Sequence, residues 1–130
     1  MADHPNAQTA RTAIEAFSKG DLDTFVGTLA DDVIWHPPGN NRFSGTREGK
    51  AATMARFQEQ REAGFVVSIE DVHDVLANDE HTVAMVTIKV TRGDELVESP
   101  AVFVMHVRDG KLAEFWQMVD RQADLDALFG

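Results

Sequence analysis

His106 and Asp120 are the residues of this chain whose types and positions point most directly to chemistry. His106 lies in an apolar run over residues 100–107, and Asp120 follows a second apolar run over residues 112–119. An ionisable side chain buried without a partner costs several kcal/mol, so each of the two needs a partner or a function. A histidine and a carboxylate on paired strands can bond to each other, and they can also move a proton to or from a bound molecule.

Each residue of this pair has a functional and a structural interpretation. Asp120 is a candidate general base, or else the N-cap of a helix that starts at Arg121. His106 is a candidate acid/base partner, or else a hydrogen-bonded core histidine. Strand alternation predicts that one pocket holds both residues together with three candidate substrate-binding side chains, Val104, Trp116 and Met118.

Two further candidates for substrate binding lie near the end of the first predicted strand. Trp35, like Trp116, is interpreted as a pocket-wall aromatic, although both are equally compatible with a core. His36 either lines the mouth of the pocket or ends a surface strand. The chain has no cysteine, and its five histidines show no metal-ligand spacing, so we expect no metal ion and no cofactor.

The elements that position these residues are clearest in the second half of the chain. Four runs rich in valine, isoleucine and phenylalanine, residues 66–77, 81–91, 96–107 and 111–120, are separated by short turn segments and predict an antiparallel meander. Asp109-Gly110 in the last turn is the strongest short-range hairpin signal. A change in apolar phase near residues 70–72 predicts a bulge.

The first half of the chain predicts three helices and one strand. A first helix carries Ala10, Ala13, Ile14 and Phe17 and ends at Gly20; a second, capped by Asp21, carries Leu22, Phe25, Val26 and Leu29. A strand over residues 31–36 and a loop follow. A third helix over 46–63 places Ala51, Met54, Ala55 and Phe57 inward, and a closing helix over 121–129 buries Leu125, Leu128 and Phe129. We therefore expect an α+β fold, one domain over residues 1–130, with a conical cavity between helices and a curved sheet.

Composition narrows the expected partners. The chain has 22 acidic and 12 basic residues, with a formal net charge of -10, and its basic residues are scattered. Binding to nucleic acid or to an anionic membrane surface is therefore disfavoured, and a small apolar ligand fits better. No signal-like or membrane-spanning run is visible, which favours a cytoplasmic protein.

Three segments together resemble the nuclear-transport-factor-2-like superfamily, and within it the SnoaL-like, polyketide cyclase-like branch. They are residues 16–35, with Ala-Phe-Ser-Lys-Gly-Asp-Leu-Asp and then Leu-Ala-Asp-Asp-Val-Ile-Trp, residues 45–49, Gly-Thr-Arg-Glu-Gly, and residues 107–116, Val-Arg-Asp-Gly-Lys-Leu-Ala-Glu-Phe-Trp. The resemblance implies a cone-shaped, cystatin-like fold and a homodimer formed through the sheet. We expect the outer face of that sheet to carry four apolar residues, Val97, Ala101, Phe103 and Met105.

The superfamily hosts several activities, so the residues must distinguish them. The positions that ketosteroid isomerases fill with a tyrosine and two aspartates correspond to Ala13, Pro37 and Phe103, and the chain has no tyrosine. The Asp-Arg-Asp arrangement of limonene-epoxide hydrolases is not recognisable either. The SnoaL-like cyclases use a strand histidine and a last-strand aspartate, which match His106 and Asp120. The resemblance thus implies a cofactor-free aldol-type cyclisation or isomerisation; the alternatives are a non-catalytic ligand-binding protein and a dimeric accessory domain.

Overall fold

The computed structural model describes residues 3–130, which form helices α1 to α4 and strands β1 to β6. In chain order these are α1 Pro5–Ser18, α2 Leu22–Gly27, β1 Leu29–His36, β2 Arg47–Glu48, α3 Lys50–Glu62, β3 Val66–Ala77, β4 Thr82–Arg92, β5 Glu95–Arg108, β6 Lys111–Val119 and α4 Gln122–Phe129. The predicted α+β class, with N-terminal helices on a curved sheet, is confirmed.

The six strands form one mixed sheet in the order β2-β1-β6-β5-β4-β3. The predicted meander of β3 to β6 is antiparallel throughout, whereas β1 runs parallel to β6. Asp109 and Gly110 join β5 to β6 with φ angles of 53° and 73°. Positive φ at both central residues is the signature of a type I′ turn, so the hairpin prediction is confirmed.

The sheet bends where β3 carries its extra residues. The register of β3 against β4 shifts between Ile69 and Asp71 and again between Val72 and Asp74. Each shift inserts one residue that has no opposite partner, which increases the local twist and bends the strand. The predicted bulge is confirmed, and it curves the sheet around the helices.

The helices pack on the concave face of the sheet, and the other face is left without helices. On β5 the residues of the concave face are Val97, Ser99, Ala101, Phe103 and Met105, all buried, while the intervening residues from Val102 to His106 are half-buried. The prediction that Val97, Ala101, Phe103 and Met105 form the outer face is therefore wrong. Both alternating sets of β5 are mainly apolar, so alternation does not reveal which set faces the helices.

Two helix boundaries and one helix face also differ from the predictions. Leu29 begins β1 instead of continuing α2, and α3 begins at Lys50 because residues 47–48 pair with β1. The face of α3 predicted from its apolar residues is wrong for Ala51 and Ala55, whereas Phe57 is buried and Met54 packs against the core from a half-buried position. The buried residues of α3 are Thr53, Arg56, Phe57 and Gln60, whereas Ala51 and Ala55 are exposed and Met54 is half-buried.

The closing helix α4 buries Leu125, Leu128 and Phe129, as predicted. Its N-cap is Arg121, so the interpretation of Asp120 as the N-cap is wrong. Asp120 lies in the turn before the helix, where its backbone N–H donates to the carbonyl of Pro100 at 3.0 Å. Within residues 3–130, no helix has the length and apolar character needed to cross a membrane.

Candidate functional site

A cavity of about 70 Å³ lies between the helices and the concave face of the sheet. This is several times the space that a single water molecule requires. Its walls are mostly aromatic and aliphatic side chains from α1, α3, α4 and the strands, and the aromatic members are Phe17, Phe25, Trp35, Phe57, Phe103, Phe115 and Phe129. A cavity of this composition suits an apolar molecule.

Aromatic packing fixes the wall formed by β1, β6 and α3. Trp35 and Phe115, on neighbouring parallel strands, stack with their ring centroids 3.8 Å apart and their planes at 9°. Phe57 from α3 meets Trp35 nearly edge-on at 5.5 Å. Offset and edge-on aromatic pairs contribute energy beyond their burial, so this wall holds its shape.

Arg56 is the ionisable residue of the cavity lining, and it is nearly completely buried, with 6% of its surface exposed. Its Nε donates to the backbone carbonyl of Phe43 at 3.0 Å. No carboxylate of residues 3–130 lies within 4.0 Å of its guanidinium. Burial, and then the charge of Arg47, lowers the pKa of Arg56 to about 10 against the opposing effect of Glu59. The guanidinium therefore still carries its charge at neutral pH.

A hydrogen-bonded network ties the loop after β1 to α4 at the cavity. Asp126 accepts from Asn41 Nδ2 and from Gln122 Nε2, each at 2.8 Å. Burial raises the pKa of Asp126, but these two bonds and one from the backbone of Asn40 together bring it below its ordinary value. Gln122 directs its NH₂ group to the carboxylate, so its Oε1 points elsewhere. Among residues 3–130 this buried atom has no hydrogen-bond partner.

The structure separates the sequence-predicted site residues. Trp35 lines the cavity. Five others, His36, Val104, His106, Trp116 and Met118, belong to the alternating sets of β1, β5 and β6 that point away from the cavity. Asp120 is exposed in the turn after β6. The expectation that one pocket holds His106 and Asp120 is therefore wrong, because the strand face that carries the ionisable residues is the outer one.

On the outer face of the sheet, the carboxylate of Glu114 contacts both His36 and His106. Its carboxylate lies 2.7 Å from His36 Nε2 and 3.6 Å from His106 Nδ1. The ring of Trp116 stacks on that of His36 at 5.0 Å. His106 and Glu114 are directly opposite in the β5–β6 register, so hairpin pairing from the Asp109-Gly110 turn was the signal that could have indicated this pair.

Four polar residues of the cavity were missed by reasoning from the sequence. They are Arg56, Gln60, Gln117 and Gln122. The available signal was the spacing of Thr53, Arg56, Phe57 and Gln60 at i, i+3, i+4 and i+7, which places them on one face of α3. A prediction that places only apolar residues on the inward face of α3 misses Arg56 and Gln60, which line the cavity beside Phe57.

Comparison with known proteins defines the class to which this fold and cavity belong. The family model of the SnoaL-like domain matches residues 10–115, and the chain belongs to this family. No curated protein matches the chain.

Solved structures share the fold over nearly the whole chain. A protein of unknown function with a cystatin-like fold from Xanthomonas campestris is 26% identical, with a TM-score of 0.89, over 96% of this chain and 98% of that one. An NTF2-like protein from Burkholderia xenovorans is 22% identical, with a TM-score of 0.82, over 100% and 99%. A candidate polyketide cyclase from Xanthomonas campestris pv. campestris is 20% identical, with a TM-score of 0.79, over 97% of each chain. These likenesses show a shared fold, which agrees with the membership of the SnoaL-like domain family shown by the family model.

Proposed function

We propose that this SnoaL-like protein binds a small, mostly apolar molecule in the cavity between its helices and its sheet. The observation that carries the proposal is the lining itself, in which a rigid aromatic wall faces a few polar groups. Apolar surface provides affinity, while a small number of fixed polar groups orient the ligand.

Cofactor-free acid/base catalysis by His106 and Asp120 stays a prediction that rests on the family resemblance. Arg56 is the ionisable side chain among the residues of 3–130 that line the cavity, and an arginine is a poor proton donor or acceptor at neutral pH. The geometry supports ligand binding more directly than proton transfer by this pair.

The two tryptophans provide a test because they lie on opposite faces of the sheet. Trp35 lines the cavity and Trp116 lies on the outer face, and the chain has no tyrosine to add fluorescence. In the variant Trp116→Phe, the remaining tryptophan is Trp35 in the cavity wall. In the matched control Trp35→Phe, the remaining tryptophan is Trp116 on the outer face. We expect acetophenone and cyclohexanone to change the emission of Trp116→Phe saturably and that of Trp35→Phe not at all.

Thermal unfolding provides the second readout. A molecule that binds only the folded state raises the melting temperature, and the rise continues with the logarithm of its concentration once the site is saturated. If neither probe raises the melting temperature of the unaltered protein and neither changes Trp35 emission, the cavity does not bind apolar molecules and the proposal fails.

We also propose that two copies of the chain pack through the outer face of the sheet. This face presents a patch of half-buried or exposed apolar side chains on β1, β4, β5 and β6: Ile34, Val83, Met85, Val102, Val104, Trp116 and Met118. Apolar patches of this extent mark interaction sites, and a self-complementary patch gives a two-fold dimer. Sedimentation should show a dimer that Val104→Asp converts to a monomer, while Val66→Asp, at an exposed position of β3, has no effect. A monomer at tens of micromolar would contradict this proposal.

A further inference from the structure

The charge of Arg56 inside the cavity indicates the chemical class of the ligand. A guanidinium that is 6% exposed and has no carboxylate within 4.0 Å in residues 3–130 is an unusual feature, because a buried charge is normally paired. The two neighbouring charged residues, Arg47 and Glu59, pair with each other at 3.8 Å. The cavity therefore contains a positive charge that the chain itself does not neutralise.

The orientation of the guanidinium leaves a specific set of donors for a ligand. Nε is occupied by the carbonyl of Phe43, and within residues 3–130 no hydrogen bond from either Nη atom is found. The two Nη groups form a planar pair whose spacing matches the two oxygens of a carboxylate. This geometry selects a planar oxygen acid over a neutral carbonyl.

Gln122 also lines this cavity, and its buried Oε1 has no hydrogen-bond partner within residues 3–130. Arg56 is bonded to Phe43, and Gln122 shares Asp126 with Asn41, so both residues are tied to the loop after β1. The polar residues thus gather where this loop covers the cavity. A buried acceptor without a donor costs free energy, and a ligand hydroxyl or N–H would satisfy it.

We infer that the ligand is an apolar carboxylic acid, bound as its carboxylate to the Nη pair of Arg56 with its apolar body against the aromatic wall. This inference rests on the proposed function and adds the charge and the orientation of the ligand to it.

Matched acids and amides test the charge without altering the protein. Calorimetric titration compares benzoate, cyclohexanecarboxylate and hexanoate with their neutral amides, which have nearly the same shape. We expect each acid to bind roughly 10- to 100-fold more tightly than its amide, as a charge-assisted pair in a buried site should. Equal affinities for acids and amides would overturn this inference and leave apolar binding intact, whereas binding of neither would overturn both.

Substitutions of Arg56 separate a ligand-binding role from a structural one. Arg56→Met removes the charge and keeps the length of the side chain, so the acids should lose their advantage while the amides bind as before. Arg56→Lys keeps the charge but lacks the planar pair of Nη donors, so it should retain part of the preference for acids over amides. Arg61→Met, the control at an exposed arginine of the same helix, should retain all of it.

The stability of the ligand-free protein gives the deciding structural readout. Removal of an unpaired buried charge offsets the loss of the bond to Phe43, so Arg56→Met should melt at the temperature of the unaltered protein or above. A large fall in melting temperature together with an unchanged preference for acids would show that Arg56 only holds the loop, and the inference would be wrong.

Discussion

Replacing Gly39 by alanine should disrupt the network that joins the loop after β1 to α4. Gly39 has a φ of 82°, and a Cβ built on it would overlap Gln122 Nε2 and Asp126 Oδ1. The left-handed conformation alone costs a residue with a side chain about 1–2 kcal/mol. Displacement of Gln122 from the charged Asp126 adds roughly 1.5–3 kcal/mol. The free energy of unfolding should therefore fall by about 2.5–5 kcal/mol in total.

Gly20→Ala is the matched control for this prediction. Gly20 has a comparable φ of 72°, but a Cβ there meets nothing within 4 Å. Gly20→Ala should therefore lower the free energy of unfolding only through its left-handed backbone conformation, by about 1–2 kcal/mol. Urea denaturation of both variants, followed by tryptophan emission, measures the difference. Equal losses would refute the reasoning, because they would show that Gln122 and Asp126 move aside without cost.

The same comparison has a predictable pH dependence. Because the pKa of Asp126 is lowered below 3.8 in the folded protein, its contribution to stability is complete above that value and is lost as the pH falls through the folded pKa. Gly39→Ala has already lost the bonds that lower the pKa. The stability gap between the unaltered protein and this variant should narrow below about pH 4, and a gap that stays constant to pH 2 would contradict the assignment to Asp126.

Three further predictions concern the packing of the core and the hairpin turn. Thr82 is 1% exposed, and its Oγ1 has no hydrogen-bond partner in the part of the chain that the structure describes. Thr82→Val should therefore raise the free energy of unfolding by about 1 kcal/mol, and a decrease measured by urea denaturation would contradict this. Asp109→Asn should leave hairpin stability nearly unchanged, whereas Asp109→Val should cost about 1–2 kcal/mol, because β-branched residues resist a φ of 53°. Phe57→Ala should lower the free energy of unfolding by about 3–5 kcal/mol, measured by calorimetry, because Phe57 packs in the aromatic wall. The control Gln58→Ala, at an exposed position of the same helix, should lower it by less than about 0.5 kcal/mol. Equal losses would show that the wall is loosely packed.

The order and type of most helices and strands could be predicted, because they depend on residues that are close together in the sequence. Long β-branched runs and the Asp109-Gly110 turn specify the meander without reference to anything distant. The short strand β2 could not be predicted in this way, because its two residues form a strand only by pairing with Ile34 and Trp35. Helix α3 was consequently predicted to begin four residues too early.

The faces of the elements could not be assigned, and the site therefore could not be located. On β5, Phe103 points towards the cavity and Val104 towards the outer face, yet both are apolar. The alternation of polar and apolar residues therefore cannot show which face is buried. On α3 the inward position belongs to Arg56, although burial of a charge is unfavourable unless something in the cavity compensates it. The sequence rules fail at this point because the space next to the helix is a cavity and not a packed core.

The place of β6 between β1 and β5 determines when the sheet can be completed during translation. Leu29, in the first strand to be synthesised, pairs with Leu112, which follows it by well over half of the chain. The meander of β3 to β5 can form on the ribosome as its hairpins emerge, but β1 has to wait for β6 before it joins the sheet. The nascent chain therefore keeps an open β5 edge and an incomplete aromatic wall until the last hairpin is released, and an unpaired edge of this kind favours aggregation.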